Sequence, residues 1–309
     1  MIKQLSPSVM GFLLALTTAF MWGVLPVFLK VLLVDMDAFT ITAIRFIFAG
    51  VFVAVLLFSN KALPRIRQHH KWVWIILGLS TLMLLINYVS NVIALNYISP
   101  STVQLILQLA PFILLIGGVV LYKESFSRLQ LIGALMLFSG LGLFFNQRIP
   151  VILTSTTESI EGVVLVVISA TAWAMYALSQ KKLLASFTSS QLTLLIYIIG
   201  TIFLLPFTQF SETLALTGWQ YFALIFCCLN TLIGYGAFTH AMQIWDASKV
   251  SAILATAPVF TYLSNEIAIM IAPDIFFDPQ LDVWAYIGAL FIILGAMLAS
   301  IGKAKPKVS

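Results

Sequence analysis

The sequence predicts an all-α membrane protein whose ten transmembrane helices form two inverted-topology repeats of five. Three observations predict this. Residues are 61% hydrophobic and only 9% charged, where a soluble domain carries about 25% charge. Apolar runs long enough to cross a hydrocarbon layer of about 30 Å at 1.5 Å per residue follow one another with short connections. Finally, landmarks of the first half return in the second: Ala110-Pro111 as Ala257-Pro258, Asn87-Tyr88 as Gly234-Tyr235, Trp22 as Trp173 and Lys30 as Lys181.

In chain order the expected spans are 9–34, 38–58, 72–95, 99–121, 127–146, 161–181, 189–210, 217–243, 247–272 and 283–302. The first is far longer than the roughly 7–15 apolar residues of a secretory signal and has no A-x-A-like site after a short run, so a spanning helix is expected there. The fourth opens after a turn with Pro100, which suits a first helical position because proline has no amide hydrogen to lose. It ends at Lys123, Glu124 and Arg128, and carries Gln104, Gln108 and Pro111 inside. The ninth repeats its pattern. Cys227 and Cys228 are adjacent within an apolar segment and read as packing residues, since no metal-ligand spacing surrounds them.

Charge sets the orientation. With the N-terminus in the cytoplasm, the inside loops hold Lys3, Lys61, Arg65, Arg67, Lys71, Lys123, Arg128, Lys181, Lys182, Lys249, Lys303, Lys305 and Lys307; the outside loops hold only Lys30 and Arg148. By the positive-inside rule both termini are cytoplasmic. The net charge of +5 is thus an orientation signal, and no nucleic-acid partner is expected.

The repeat divides the chain into a first five-helix unit at 1–146, a linker at 147–160 and a second unit at 161–309. Five is odd, so the copies enter the membrane from opposite sides. Inverted repeats recur in secondary transporters, with substrate near the midplane between the copies. Two such halves are expected to rock about a central cavity.

The segments AFMWGVLPVFLK (19–30), IRFIFAG (44–50) and the stretch from Ala94 to Phe145, answered by TAWAMYALSQKK (171–182) and AMQIWDASKVSAILATAPVFTYLSN (241–265), resemble the EamA-type transporters of the drug/metabolite transporter superfamily. The resemblance covers nearly the whole chain. It implies a permease of the bacterial inner membrane, commonly an exporter of amino acids or related metabolites. The Lys123-Glu124 end of span four has no match at Met270-Ile271; copy two carries Glu266 inside its span and Asp274, Asp278 and Asp282 in the loop beyond.

Polar groups are costly in hydrocarbon and face the protein interior or a watery cavity. Helical spacing puts several on common stripes: Asn87 and Asn91; Gln104, Gln108 and Pro111; Ser169, Trp173, Tyr176 and Gln180; and Ser251, Ala255, Pro258, Tyr262 and Asn265. A central cavity built from these stripes, with Trp22 and Tyr235, gives a candidate substrate site of Trp22, Asn87, Asn91, Gln108, Trp173, Tyr176, Tyr235 and Tyr262. Each amide serves substrate or a neighbouring helix equally well by this reading. Trp22 and Trp173, at equivalent repeat positions, are expected to face each other across a pseudo-twofold axis. Pro26, Pro111 and Pro258 each withdraw a backbone donor and bend a helix.

Two charges lie within spans. Glu266 reads either as a proton-coupling or amine-binding carboxylate, or as a structural partner of Arg45; Arg45 itself reads as structural. No cofactor and no metal site are expected, and no G-x-S-x-G, H-E-x-x-H or G-x-x-x-x-G-K-[ST] occurs, which argues against an intramembrane hydrolase or an ATP-driven pump. The expected partners are a small-molecule substrate and the lipid bilayer. The alternatives are an efflux carrier for cationic amphiphiles or a membrane scaffold. Gly133, Gly140, Gly142, Gly288 and Gly295 would permit close helix contact in a homodimer.

Overall fold

The computed structural model describes residues 6–64, 70–98, 100–124, 127–147, 150, 159–271 and 282–301. Asp274 and Asp278 therefore lie outside the described residues, as do Lys3, Arg65, Arg67, Arg148 and the C-terminal lysines. Among the described residues every regular element is helical. Eight helical segments are long and apolar enough to span a membrane, and two shorter apolar helices accompany them. They are α1 (Pro7–Leu32), α2 (Ala38–Ser59), α3 (Lys71–Ala94), α4 (Pro100–Leu107) continuing as α5 (Leu109–Leu121), α6 (Arg128–Phe144), α7 (Ile160–Leu183), α8 (Ser189–Leu204), α9 (Gly218–Ile244), α10 (Ala247–Leu254) continuing as α11 (Ala257–Ile271), and α12 (Val283–Ile301).

The helices start where side chains satisfy orphan amides, and the starts repeat between the copies. Asp37 caps α2, accepting from the amides of Phe39 and Thr40; Thr188, at the equivalent position, caps α8 through Gln191 N. Ser127 caps α6 by the reciprocal arrangement with Gln130, and Asp282 caps α12 through Ala285 N. One expectation needs correcting: span seven does not run to 210. Its α-helix stops at Leu204 because Pro206 cannot continue the amide ladder, and two short 3₁₀ turns, Leu205–Phe207 and Phe210–Ala215, follow.

Spans four and nine are broken at equivalent points. The α4–α5 join falls at Gln108 and the α10–α11 join at Ala255–Thr256, three residues or fewer before Pro111 and Pro258. Each proline withdraws the donor that the carbonyl four residues back would have used, Leu107 or Leu254. The chain tightens locally instead: Gln108 N bonds Leu105 O at 3.1 Å and Thr256 N bonds Ile253 O at 3.0 Å. Pro26 breaks nothing, since α1 runs through it.

The copies interlock. α1 packs chiefly on α9, α3 on α7, α2 on α8 and α6 on α12, each pairing one copy with the other. A pseudo-twofold axis follows from this symmetry of contacts. Aromatic residues at equivalent positions meet along it: Trp22 with Trp173 (centroids 5.4 Å apart, perpendicular), Phe46 with Tyr197 (5.3 Å) and Tyr88 with Tyr235 (5.3 Å). Because each helix has its main neighbour in the other copy, the sequence repeats are not separate packing bodies.

The small residues of spans five and ten have an internal use. A Cβ at Gly133 would lie 2.6 Å from Gly295 O, and one at Gly140 would lie 2.8 Å from Gly288 O. These glycines let α6 and α12 touch backbone to backbone within one chain, so they are not free to make a dimer contact. Gly142 is open, with nothing within 4 Å of a Cβ placed there.

Candidate functional site

The ends of the bundle differ in charge. The face where α1 begins carries Lys61, Lys71, Lys123, Arg128, Lys181, Lys182 and Lys249 among the described residues; the opposite, far face carries Lys30. The main cavity lies in the far half. Its lining comes from the second half of α1 (Trp22, Leu25, Pro26, Leu29), from Arg45 in the second turn of α2, and from the last third of α3 (Asn87, Tyr88, Asn91, Val92). Both helix breaks complete it, with Gln104, Leu107, Gln108, Ala110 and Pro111 on one side and Leu254 and Ala257 on the other; Trp173 and Tyr235 form its floor. About 110 Å³ is open to the centre of a water molecule, where a single water needs roughly 10–15 Å³. That is room for one small organic solute.

The floor is aromatic. Phe238 contacts Trp22 at 5.4 Å and Trp173 at 5.3 Å, and Tyr235 lies 4.7 Å from Trp22. This packing is possible because position 234 is glycine; a Cβ there would come within 2.8 Å of Trp22 Nε1. Trp22 Nε1 and Gln108 Oε1 are buried and have no hydrogen-bond partner among the described residues. One is a donor and the other an acceptor, and both belong to residues that line the chamber. Asn87 is largely committed to structure: its Nδ2 donates to Ser169 Oγ at 2.8 Å and Ser169 O at 3.1 Å, and Ser169 Oγ donates back to Asn87 O. That exchange clamps α3 to α7.

Arg45 is almost wholly buried, at 1% exposure. Its Nε donates to Thr231 Oγ1 at 2.8 Å, and the guanidinium sits 4.7 Å over the ring of Tyr88. It forms no ion pair with Glu266. That carboxylate is half-buried on α11, outside the chamber lining.

Below the aromatic floor the charged face is tied shut. Glu124 accepts from the first amides of α10, Ala247 N at 2.9 Å and Ser248 N at 3.0 Å, where the helix dipole favours a carboxylate. Lys181 donates to Trp245 O at 2.7 Å and lies 3.7 Å from the Glu124 carboxylate. The Tyr122 hydroxyl donates to Leu178 O; burial, with Glu124 adding to it, raises the phenol above its ordinary pKa, so it stays a donor. The ends of α5, α7 and α10 are joined by these contacts. On the far face the equivalent lysine, Lys30, donates to Leu95 O at 3.2 Å.

Of the residues expected at the site, Trp22, Asn87, Asn91, Gln108, Trp173 and Tyr235 come together in the lining, and Arg45 joins them. Tyr176 and Tyr262 do not. Tyr176 lies beneath the floor, beside Tyr235 and Phe238 and bonded to Gln180. Tyr262, past the α10–α11 break, packs on Phe144 and Phe145. The lining also includes Tyr88, which the sequence reading passed over although it is the repeat equivalent of Tyr235.

Comparison with known proteins adds a family. The model of the EamA-like transporter family matches residues 9–146 and again 160–301. The chain is 40% identical over 293 residues to an uncharacterized inner membrane transporter, YhbE, of Escherichia coli (strain K12), covering 94% of this chain and 91% of that one. An uncharacterized transporter of Haemophilus influenzae is equally similar, at 40% with 95% of each chain covered. A solved crystal structure shares the fold with a TM-score of 0.67 over 94% of this chain, at 17% identity.

Proposed function

The chain belongs to the EamA-like transporter family, and from that premise we propose that it is a secondary transporter working by alternating access through the central chamber. The observation that carries the reading is the chamber's position: it sits directly against the pseudo-twofold axis, on its far side, floored by the paired tryptophans and walled by both helix breaks. Discontinuous helices at a repeat interface are where transporters bind substrate. In this reading Trp22, Trp173 and Tyr235 form the chamber floor, while Asn91 and Gln108 offer hydrogen bonds.

The charged face is cytoplasmic by the positive-inside rule, so both termini lie inside and the chamber opens outward in this state. The membrane is the bacterial inner membrane, as the name of the Escherichia coli relative has it. The substrates are amino acids or related small metabolites, and net movement is export. Because the copies interlock, opening the cytoplasmic side proceeds by bending at Gln108 and Ala255–Thr256 and release of the Glu124 contacts, with substrate shifting the balance through its different affinity for the two states.

Counterflow in proteoliposomes tests this. Vesicles preloaded with unlabelled amino acids, nucleosides or amines are followed for entry of the matching labelled tracer. Accumulation that a Trp173→Ala variant loses supports transport through this chamber. No accumulation of any compound by folded, inserted protein contradicts it.

A further inference from the structure

The charge of the chamber is unusual. Among the described residues Arg45 is the single charged one in its lining, and no carboxylate lies within 4 Å of it. A guanidinium has five N–H donors and cannot be deprotonated in a protein. Here only Nε is used, on Thr231 Oγ1. Thr231 is itself fixed, since its hydroxyl donates to Cys227 O at 3.0 Å and its carbonyl accepts from the Tyr197 hydroxyl at 3.1 Å. With Nε anchored and the plane held over Tyr88, the fork of terminal nitrogens is immobilised and has no acceptor among the described residues.

We propose that Arg45 is a substrate-binding residue and that the chamber takes a carboxylate, held by the free guanidinium fork. The inference rests on the transport reading above and narrows its substrate class. A buried cation without a counter-charge is costly, and a planar carboxylate matches a guanidinium in both charge and geometry. A single positive charge in an otherwise uncharged lining favours a monoanionic group over a dianionic phosphate, which would leave net negative charge in the same apolar space. A cationic amphiphile is disfavoured for the converse reason. Gln108 Oε1, in the same lining and unpartnered among the described residues, is available to accept from an N–H of the solute.

Thermal stabilisation of the purified full chain tests the site with three matched probes: leucine, 4-methylpentanoate and leucinamide. The first two carry the carboxylate; the third has the same side chain and a positive charge without it. A ligand that binds only the folded state raises the melting temperature in proportion to its affinity. The expected result is stabilisation by leucine and 4-methylpentanoate and none by leucinamide. Arg45→Gln should weaken apparent affinity for the carboxylates at least about tenfold, with Arg45→Lys intermediate because it keeps charge and loses the fork. Should Arg45→Gln fail to fold, the comparison of acid with amide on the unaltered protein still decides.

Equal stabilisation by leucinamide, the same effect from potassium chloride alone, or no effect of any carboxylate up to about 20 mM would overturn the assignment. Counterflow of a labelled amine without carboxylate binding would also overturn it, yet leave transport standing. Carboxylate binding without flux of any tracer would support the site and count against transport.

Discussion

The two halves of the central space are equivalent in backbone plan and opposite in content. On the far side, α3 contributes Asn87 and Asn91, α1 contributes Leu25, Pro26 and Leu29, and α2 contributes Arg45. The equivalent positions on the charged side are Gly234 and Phe238 on α9, Tyr176, Ala177 and Gln180 on α7, and Ile196 on α8. One half is a chamber; the other is filled by Phe238, Tyr176 and the rings of the floor. The inverted repeat supplies two candidate sites facing opposite ways. Side-chain identity then decides which one is left open with polar groups in its wall and which one is filled.

Exchanging residues between the halves should break this comparison most severely. Asn91→Phe, which installs the residue found at its repeat equivalent, should plug the chamber and lower counterflow by at least about tenfold, while the melting temperature moves by no more than the few degrees usual for a surface-lined pocket. The reverse exchange, Gly234→Asn, places a Cβ 2.8 Å from Trp22 Nε1. Its expected cost is about 1–3 kcal/mol for overpacking, measured by thermal or denaturant unfolding in detergent. An unchanged stability would show that Trp22 is not wedged against α9.

A smaller effect is expected where the seal is electrostatic. Glu124→Gln keeps the shape but weakens the contacts to Ala247 N, Ser248 N and Lys181. A charge-assisted cap of this kind contributes about 1 kcal/mol, so the balance between closed and open charged face should shift several-fold toward open. The smallest effect belongs at the far end. Hydrogen bonds from Gln147 and Asn146, and from the amide of Ala285, hold the Asp282 carboxyl below its ordinary pKa. Its contribution to stability is therefore present above the ordinary carboxylate pKa and lost as pH falls through the lowered one. The melting-temperature gap between Asp282→Asn and the unaltered chain should close on acidification from neutral pH. A gap that persists below that range would remove Asp282 from the account.

Much of this was legible in the sequence for definite reasons. Helix starts and the inward polar stripes follow from local chemistry: Ser169, Trp173, Tyr176 and Gln180 are all buried on α7 as their spacing requires. The meeting of Trp22 and Trp173 followed from the repeat. Tyr88 was available by the same logic, since Asn87-Tyr88 aligns with Gly234-Tyr235. Tyr262 was out of reach, because its stripe is continuous only if the ninth span is one helix, and the break at Ala255–Thr256 separates it from the chamber. The surroundings of Arg45 could not be read from spacing because they are tertiary: Thr231 is far away in sequence, and only the packed helices show that no carboxylate among the described residues pairs with it. Nor could spacing tell that Pro26 leaves α1 intact while Pro111 and Pro258 follow breaks.

The most direct test of the central claim is sided labelling of paired cysteines. Asn91→Cys and Phe238→Cys would be made separately in a chain whose buried Cys227 and Cys228 are replaced by alanine, and a membrane-impermeant thiol reagent would be added to one side of oriented vesicles at a time. Alternating half-chambers predict that Asn91→Cys reacts only from the far face and Phe238→Cys only from the charged face. They also predict that adding Glu124→Gln lowers the first rate and raises the second together. Both positions reacting from one face, or the two rates moving independently of each other, would contradict it.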